Sequence, residues 1–257
     1  METEATKKIK PRHHPNLSNK KIMAVLCGNT GAGKTYLMMK ILTEPGFLDY
    51  NNLIIYTTTS DQAIYQFLKY GFSENLSKLT IRKLYKLYEE SEYEENIEEM
   101  CKEAAKTKEL LAPVKERITA QVTNDMGELS NPSKLPKDKK NCVIFDDCVN
   151  EKDQTIQKTY FTRARHHNCA CFYLTQSFFG LDGTYIRKNA NIFILFELNK
   201  RNLTEVLKDL TVGDNESFKQ ECRNAWSKDY GYIVVNLDKK NLRDRVITDF
   251  FSEENDQ

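Results

Sequence analysis

Eight consecutive residues, Gly28-Asn29-Thr30-Gly31-Ala32-Gly33-Lys34-Thr35, fit the pattern Gly-x4-Gly-Lys-[Ser/Thr] in full. The chemistry they offer is the capture of a polyphosphate. Glycines let the backbone curl so that successive N–H groups point inward, and a following helix adds the positive end of its dipole. Lys34 reaches the outer phosphates, and the Thr35 hydroxyl is a ligand for Mg2+. A nucleotide bound with Mg2+ is therefore expected. Such a loop does not say what the phosphate is used for.

Two later stretches bear on that question. "VIFDDC" places Asp146 and Asp147 at the end of an apolar run. A carboxylate at the C-terminal edge of a strand beside the phosphate loop suits the outer coordination sphere of Mg2+, and Asp146 fits that role. Asp147 is spare for the metal and is a candidate to polarise an attacking water; its alternative is to cap the following turn. "CFYLTQSFF" then puts the polar pair Thr175–Gln176 where another apolar run emerges. An amide at that position can bond the γ-phosphate or orient the water.

These residues need a frame that brings three strand ends to one edge. "IMAVLC" before Gly28, "LIIYT" at 53–57, "CVIFDD" at 142–147, "CACFYLTQ" at 169–176 and "NIFILFEL" at 191–198 are continuous apolar runs, as expected of strands covered on both faces. Helices are expected at 35–44, from the N-capping Asp61 to about 70, at 202–210 and at 216–226, before a last strand at 232–237. Strand and helix alternate, which predicts an α/β sheet with short right-handed crossovers. Residues 73–140 differ: eight glutamates and one lysine lie between Glu89 and Glu103, and no strand-like run occurs. Leu76, Leu79, Leu84 and Leu87 suggest helices with one buried stripe, so this stretch reads as a charged helical insertion, partly mobile. Residues 1–21, with six Lys/Arg, read as a mobile basic arm ahead of one domain spanning 22–257.

The chain of 257 residues is 40% hydrophobic with a formal net charge of +1, which supplies a full core and excludes a globally basic nucleic-acid binder. Local basic clusters remain at Lys134–Lys140, Arg187–Lys188 and "KKNLRDR" from Lys239. No apolar run reaches the length of a membrane span, so an intracellular protein without membrane contact is expected. The seven cysteines show no Cys-x-x-Cys spacing and read as reduced core thiols. His166–His167 with Cys169 and Cys171 invites a zinc reading, but the apolar run favours packing.

Together "GNTGAGKT", "VIFDD" and "RARHHNCACFYLTQSFFGL…IRKNANIFILFEL" resemble the genome-packaging ATPases of the FtsK–HerA class, closest to the poxvirus-type ATPases of large DNA viruses, virophages and Maverick/Polinton elements. The likeness runs from about Ile22 to Leu210. It implies a RecA-like P-loop NTPase core with a mainly parallel sheet, assembled as a homo-oligomeric ring that uses ATP to thread double-stranded DNA into a capsid through a portal. Carried over by position, Lys34 and Thr35 hold phosphate and Mg2+, Asp146 and Asp147 form the acid pair, and Gln176 is the sensor. An arginine from the neighbouring subunit is implied as well. Arg163, Arg165, Arg187 and Arg201 are candidates, and Arg165 matches the Arg-His pair that precedes the sensor strand.

Two other classes stay open on sequence. A kinase of a small substrate would keep the phosphate loop, with no need of the Asp pair and glutamine. A nucleotide-gated scaffold would bind ATP and turn it over little.

Overall fold

The computed structural model describes residues 12–17, 21–91, 95–210, 212–248, 250 and 251. Six parallel strands carry the fold: β1 (Met23–Cys27), β2 (Asn52–Thr57), β3 (Thr119–Thr123), β4 (Asn141–Asp146), β5 (Cys169–Thr175) and β6 (Ile192–Phe196). Two antiparallel strands, β7 (Tyr232–Asn236) and β8 (Val246–Ile247), extend the sheet beyond β6, giving the order β3-β2-β4-β5-β1-β6-β7-β8. The expected mainly parallel α/β sheet is present.

The apolar runs are continuous because both faces of the sheet are covered. Along β1, Ala24 and Leu26 point into one core, and Met23, Val25 and Cys27 into the other. The first core is roofed by α1 (Lys34–Thr43) and α2 (Ala63–Ser73), with Leu37, Ile41, Phe67 and Leu68 buried against it. The second lies under α5 (Thr155–Arg163), α6 (Lys200–Asp209) and α7 (Asn215–Trp226), through Tyr160, Phe161, Val206 and Phe218. Phe145 of β4 meets the rings of Tyr160 and Tyr173 at 5.5 and 5.9 Å. Burying a ring of this size contributes about 2–3 kcal/mol. Side chains close the later helices: Asn199 accepts from the Asn202 N–H at 2.8 Å, and Asp214 from the Ser217 N–H at 2.6 Å. α2 begins one residue later than expected, with Gln62 rather than Asp61 at its cap.

Residues 73–140 are only partly helical. α3 (Lys78–Glu90) and α4 (Ile97–Ala105) pack on α2, where Phe67 meets Tyr85 and Tyr88, and Ile81 fills the space that Gly71 leaves. The expectation that no strand occurs here is corrected by β3, "TAQVT", which pairs in parallel with β2 at the sheet edge. Its polar, alternately exposed residues carry none of the apolar density of the inner strands, because an edge strand has only one neighbour to cover it.

The expected mobile arm also differs. Residues 1–11 and 18–20 lie outside the described residues, but Arg12–Leu17 is docked on the body. The Arg12 N–H bonds Asp49, His14 stacks on Phe47 at 5.0 Å, and the Asn16 amide bonds the Phe250 carbonyl at 3.1 Å. Leu17 is 1% exposed. His13 Nδ1 accepts the Asp49 N–H at 3.1 Å.

Burial pushes His13 down from 6.5 to about 4, against the pull of Asp49. The unfolded chain therefore takes up this proton first, and the contribution of neutral His13 to stability is lost as pH falls from about 6.5 towards 4. His13→Gln keeps an acceptor without a titration. It is expected to flatten the fall in urea-unfolding stability across that window; an unchanged pH slope overturns the assignment.

Candidate functional site

Every sequence motif for phosphate chemistry except the arginine ends at the same edge of the sheet, because β1, β4 and β5 are parallel neighbours with aligned C-termini. The phosphate loop fills the six residues between β1 and α1. Two glycines are dictated by geometry. A Cβ on Gly28 would lie 2.5 Å from Cβ of Phe196, so only glycine lets the loop approach β6 this closely. Gly33 turns into the helix at φ 94°, a left-handed conformation that side chains resist. The Lys34 ammonium folds back and donates to the carbonyls of Gly28 and Asn29, each at 2.8 Å. Burial lowers its pKa, while Asp146 and, more weakly, Asp147 oppose that shift.

Asp146 is buried at the end of β4 and accepts from the hydroxyl of Tyr65. Burial raises its pKa, and the Tyr65 hydrogen bond and Lys34 pull it back. Tyr65, on α2, also lies close enough to the Thr35 side chain for that hydroxyl to influence its titration, so the phenol stands between the loop hydroxyl and the strand carboxylate. Sequence reasoning missed Tyr65, since it reads as one more apolar residue on the buried stripe of α2. Thr35 and Asp146 supply only hard oxygen donors and sit within reach of one hydroxyl. That donor set fits Mg2+, which takes few protein ligands and completes its shell with water and phosphate. Among the described residues, no group of three or more His, Cys, Asp or Glu side chains is placed to hold a metal alone. Cys169 and Cys171 are buried thiols 3.9 Å apart, packed in the core.

Asp147 follows at φ 51°, and this unusual backbone projects it from the strand end. Its Oδ1 accepts from the Gln176 amide at 3.2 Å, so the two residues read separately as water activator and sensor are in contact and both exposed. Glu151, a further nearby carboxylate, is engaged by Tyr56 and by Gln157 at 2.9 Å.

On the other flank of the loop, the turn between α7 and β7 borders a cleft of about 500 Å³ lined by Gly31, Ala32, Phe196, Trp226, Lys228 and Tyr230 among others. Tyr230 is 71% exposed, has φ 56°, and sets its ring against Gly33. Nothing in the local sequence distinguishes it.

Arg165 is not brought to this edge. It lies in the turn before β5, at the opposite end of the strands, about 20 Å away at 3.3 Å per residue. Its guanidinium donates to the Asn189 carbonyl within the same chain. Arg187 pairs with Asp209 at 2.7 Å and stacks on Phe178 and Phe179. Arg163 and Arg201 are exposed.

No protein-family model matches the chain, and no curated protein does. Solved structures do. The genome packaging NTPase B204 from Sulfolobus turreted icosahedral virus 2 in complex with ATP-gammaS aligns with a TM-score of 0.51 at 15% identity, over 87% of this chain and 96% of that one. Its AMPPCP complex gives 0.51 at 14% identity, over 86% and 94%. B204, the DNA-packaging ATPase from Sulfolobus turreted icosahedral virus, gives 0.50 at 14%, over 86% and 95%. At this identity the likeness establishes the fold alone: the chain shares the α/β fold of these structures over 86–87% of its length.

Removing the Tyr65 hydroxyl takes one donor from the buried Asp146 carboxylate. Tyr65→Phe is expected to lower stability by about 1–3 kcal/mol. It is also expected to move the acid limb of the nucleotide-hydrolysis pH profile upward, because less now holds Asp146 ionised. A stability loss with an unmoved acid limb leaves Tyr65 only a packing role.

Proposed function

We propose that this protein is an ATP-hydrolysing motor that packages double-stranded DNA into a capsid, working as a ring of identical subunits inside the infected cell or on the nascent virion. The observation that carries the hydrolytic part is the contact between Asp147 and Gln176 beside the Lys34 loop. Asp147 takes the proton of an attacking water while the Gln176 amide orients that water and the γ-phosphate. Gly28 to Gly33 present backbone N–H groups to the phosphates, and Lys34 exchanges its two loop carbonyls for phosphate oxygens. Thr35 and Asp146 are the side chains that would hold Mg2+, which supplies charge neutralisation of the phosphates when bound.

The fold shared with structures described as genome packaging NTPases, and the sequence resemblance stated above, support the packaging role. No helix of the described residues is long and apolar enough to cross a membrane. A neighbouring subunit completes the site with an arginine. Arg201, exposed on the surface, suits that task better than Arg165, whose guanidinium is engaged within its own chain. The nucleotide base occupies the cleft beside the loop, stacked on Tyr230.

ATP turnover measured with and without duplex DNA tests the reading. DNA is expected to accelerate it. Asp147→Asn is expected to cut the rate by about 10²–10⁴ while ATP still binds, and Lys34→Ala to abolish binding. A monomer in ATP whose turnover ignores DNA and follows a nucleoside acceptor would be a kinase. Negligible turnover, with a partner lost in Lys34→Ala, would be a scaffold.

Tyr230→Ala is expected to weaken ATP binding about 5–150-fold, since base–aromatic stacking is worth about 1–3 kcal/mol. Inhibition by inorganic tripolyphosphate, which has no base, stays unchanged. Equal loss for both ligands means Tyr230 props the loop and does not face the base.

A further inference from the structure

The basic clusters noted in the sequence are far apart along the chain, yet the topology gathers them. Lys134–Lys140 precedes β4, Arg163–His167 precedes β5, Lys188 precedes β6, and the segment from Lys239 follows the antiparallel β7. All four therefore lie at the N-terminal edge of the parallel strands, opposite the phosphate loop. Side-chain bonds stitch them into one row. The Asn168 amide bonds the Lys139 carbonyl at 3.0 Å, and the Asn141 amide bonds the His167 carbonyl at 3.3 Å. Arg165 bonds the Asn189 carbonyl. Asn191 bonds both the Lys21 carbonyl at 3.1 Å and Asp238 at 2.6 Å, and Arg245 bonds the Lys239 carbonyl at 3.1 Å.

We infer that this edge is the surface on which the protein holds the phosphate backbone of duplex DNA. The acidic groups along it, Asp49, Asp138, Asp209, Asp238 and Asp244, are fewer than the basic ones, and two are held in ion pairs, Asp49 with Lys140 and Asp209 with Arg187. Lys137, Lys188 and Lys240 are exposed. From β4 across β5, β1 and β6 to β7 the row is about 19 Å long, at 4.8 Å per strand, and duplex DNA presents about eleven phosphates over that length. Beside β5, burial and then the charges of His166, Lys137 and Lys21 hold the His167 pKa down. A net charge of +1 hides this patch, because the balancing carboxylates lie elsewhere, eight of them between Glu89 and Glu103.

The inference rests on the reading of DNA as the polymer acted upon, and it puts polymer and nucleotide at opposite ends of the same strands. Binding of a fluorescent duplex is measured across a salt series for the wild type, for K137Q/K188Q/K240Q, and for K83Q/K86Q/K106Q on α3 and just past α4. The edge variant is expected to bind at least 10-fold more weakly near 0.1 M salt. Its log–log salt slope should be shallower by about 2.7, with ATP binding unchanged. The helix variant should stay within about twofold of wild type. Equal losses in both variants, or wild-type affinity in the edge variant, overturn this placement and leave the motor reading standing. A wild-type protein that binds no DNA overturns both.

Discussion

Six strands running the same way are the constraint on which everything else here depends. Parallel pairing aligns the C-termini of β1, β4 and β5, and so delivers the phosphate loop, the acid pair and Gln176 to one edge without any loop having to search for another. The same pairing requires covered faces, since each inner strand is apolar on both sides. The helices that cover them then start or end at the edges. α1 starts there and gives the loop its dipole, and α2 lends Tyr65. The site is a consequence of the layer arrangement more than of any one segment.

Charge at that edge is held in a balance that the nucleotide would tip. Asp146 is buried and would favour protonation, but the Tyr65 hydroxyl and Lys34 both favour the carboxylate. Lys34 is itself partly desolvated and occupies two backbone carbonyls. A triphosphate offers that ammonium stronger partners than neutral carbonyls. On the proposed reading its arrival would free Lys34 from its own loop without leaving a buried charge bare. Asp147 is different, being exposed and steered by a left-handed backbone towards Gln176. Two adjacent aspartates thus sit in unlike surroundings, as the two unlike tasks proposed for them require.

The two edges of the sheet carry opposite chemistries. One presents glycine backbone and carboxylates, the other lysines, arginines and a histidine pair. Between them run hydrogen-bonded strands of five to seven residues with close-packed cores on either side. β7 and β8 lengthen both edges, and their antiparallel course returns the chain to the basic one with Lys239 and Lys240.

By itself the sequence determined the inner strands, the phosphate loop, the acid pair and the glutamine. Inner strands are buried twice over and must be uninterruptedly apolar, and a phosphate cradle needs glycines at fixed spacing. Both are local demands that leave local marks. Only the tertiary structure decided the rest. β3 is an edge strand with one neighbour and too few apolar residues to announce itself. Tyr65 and Tyr230 matter through what they meet across the fold, and tyrosine on a helix or in a turn has no spacing that reveals a partner. Arg165 sits where motif position suggested, but its guanidinium is bound to Asn189, a contact between segments 24 residues apart. The basic clusters took their meaning from the strand order, because residues that are neighbours along a sheet edge are set by which strands pair, and pairing is a property of the whole chain.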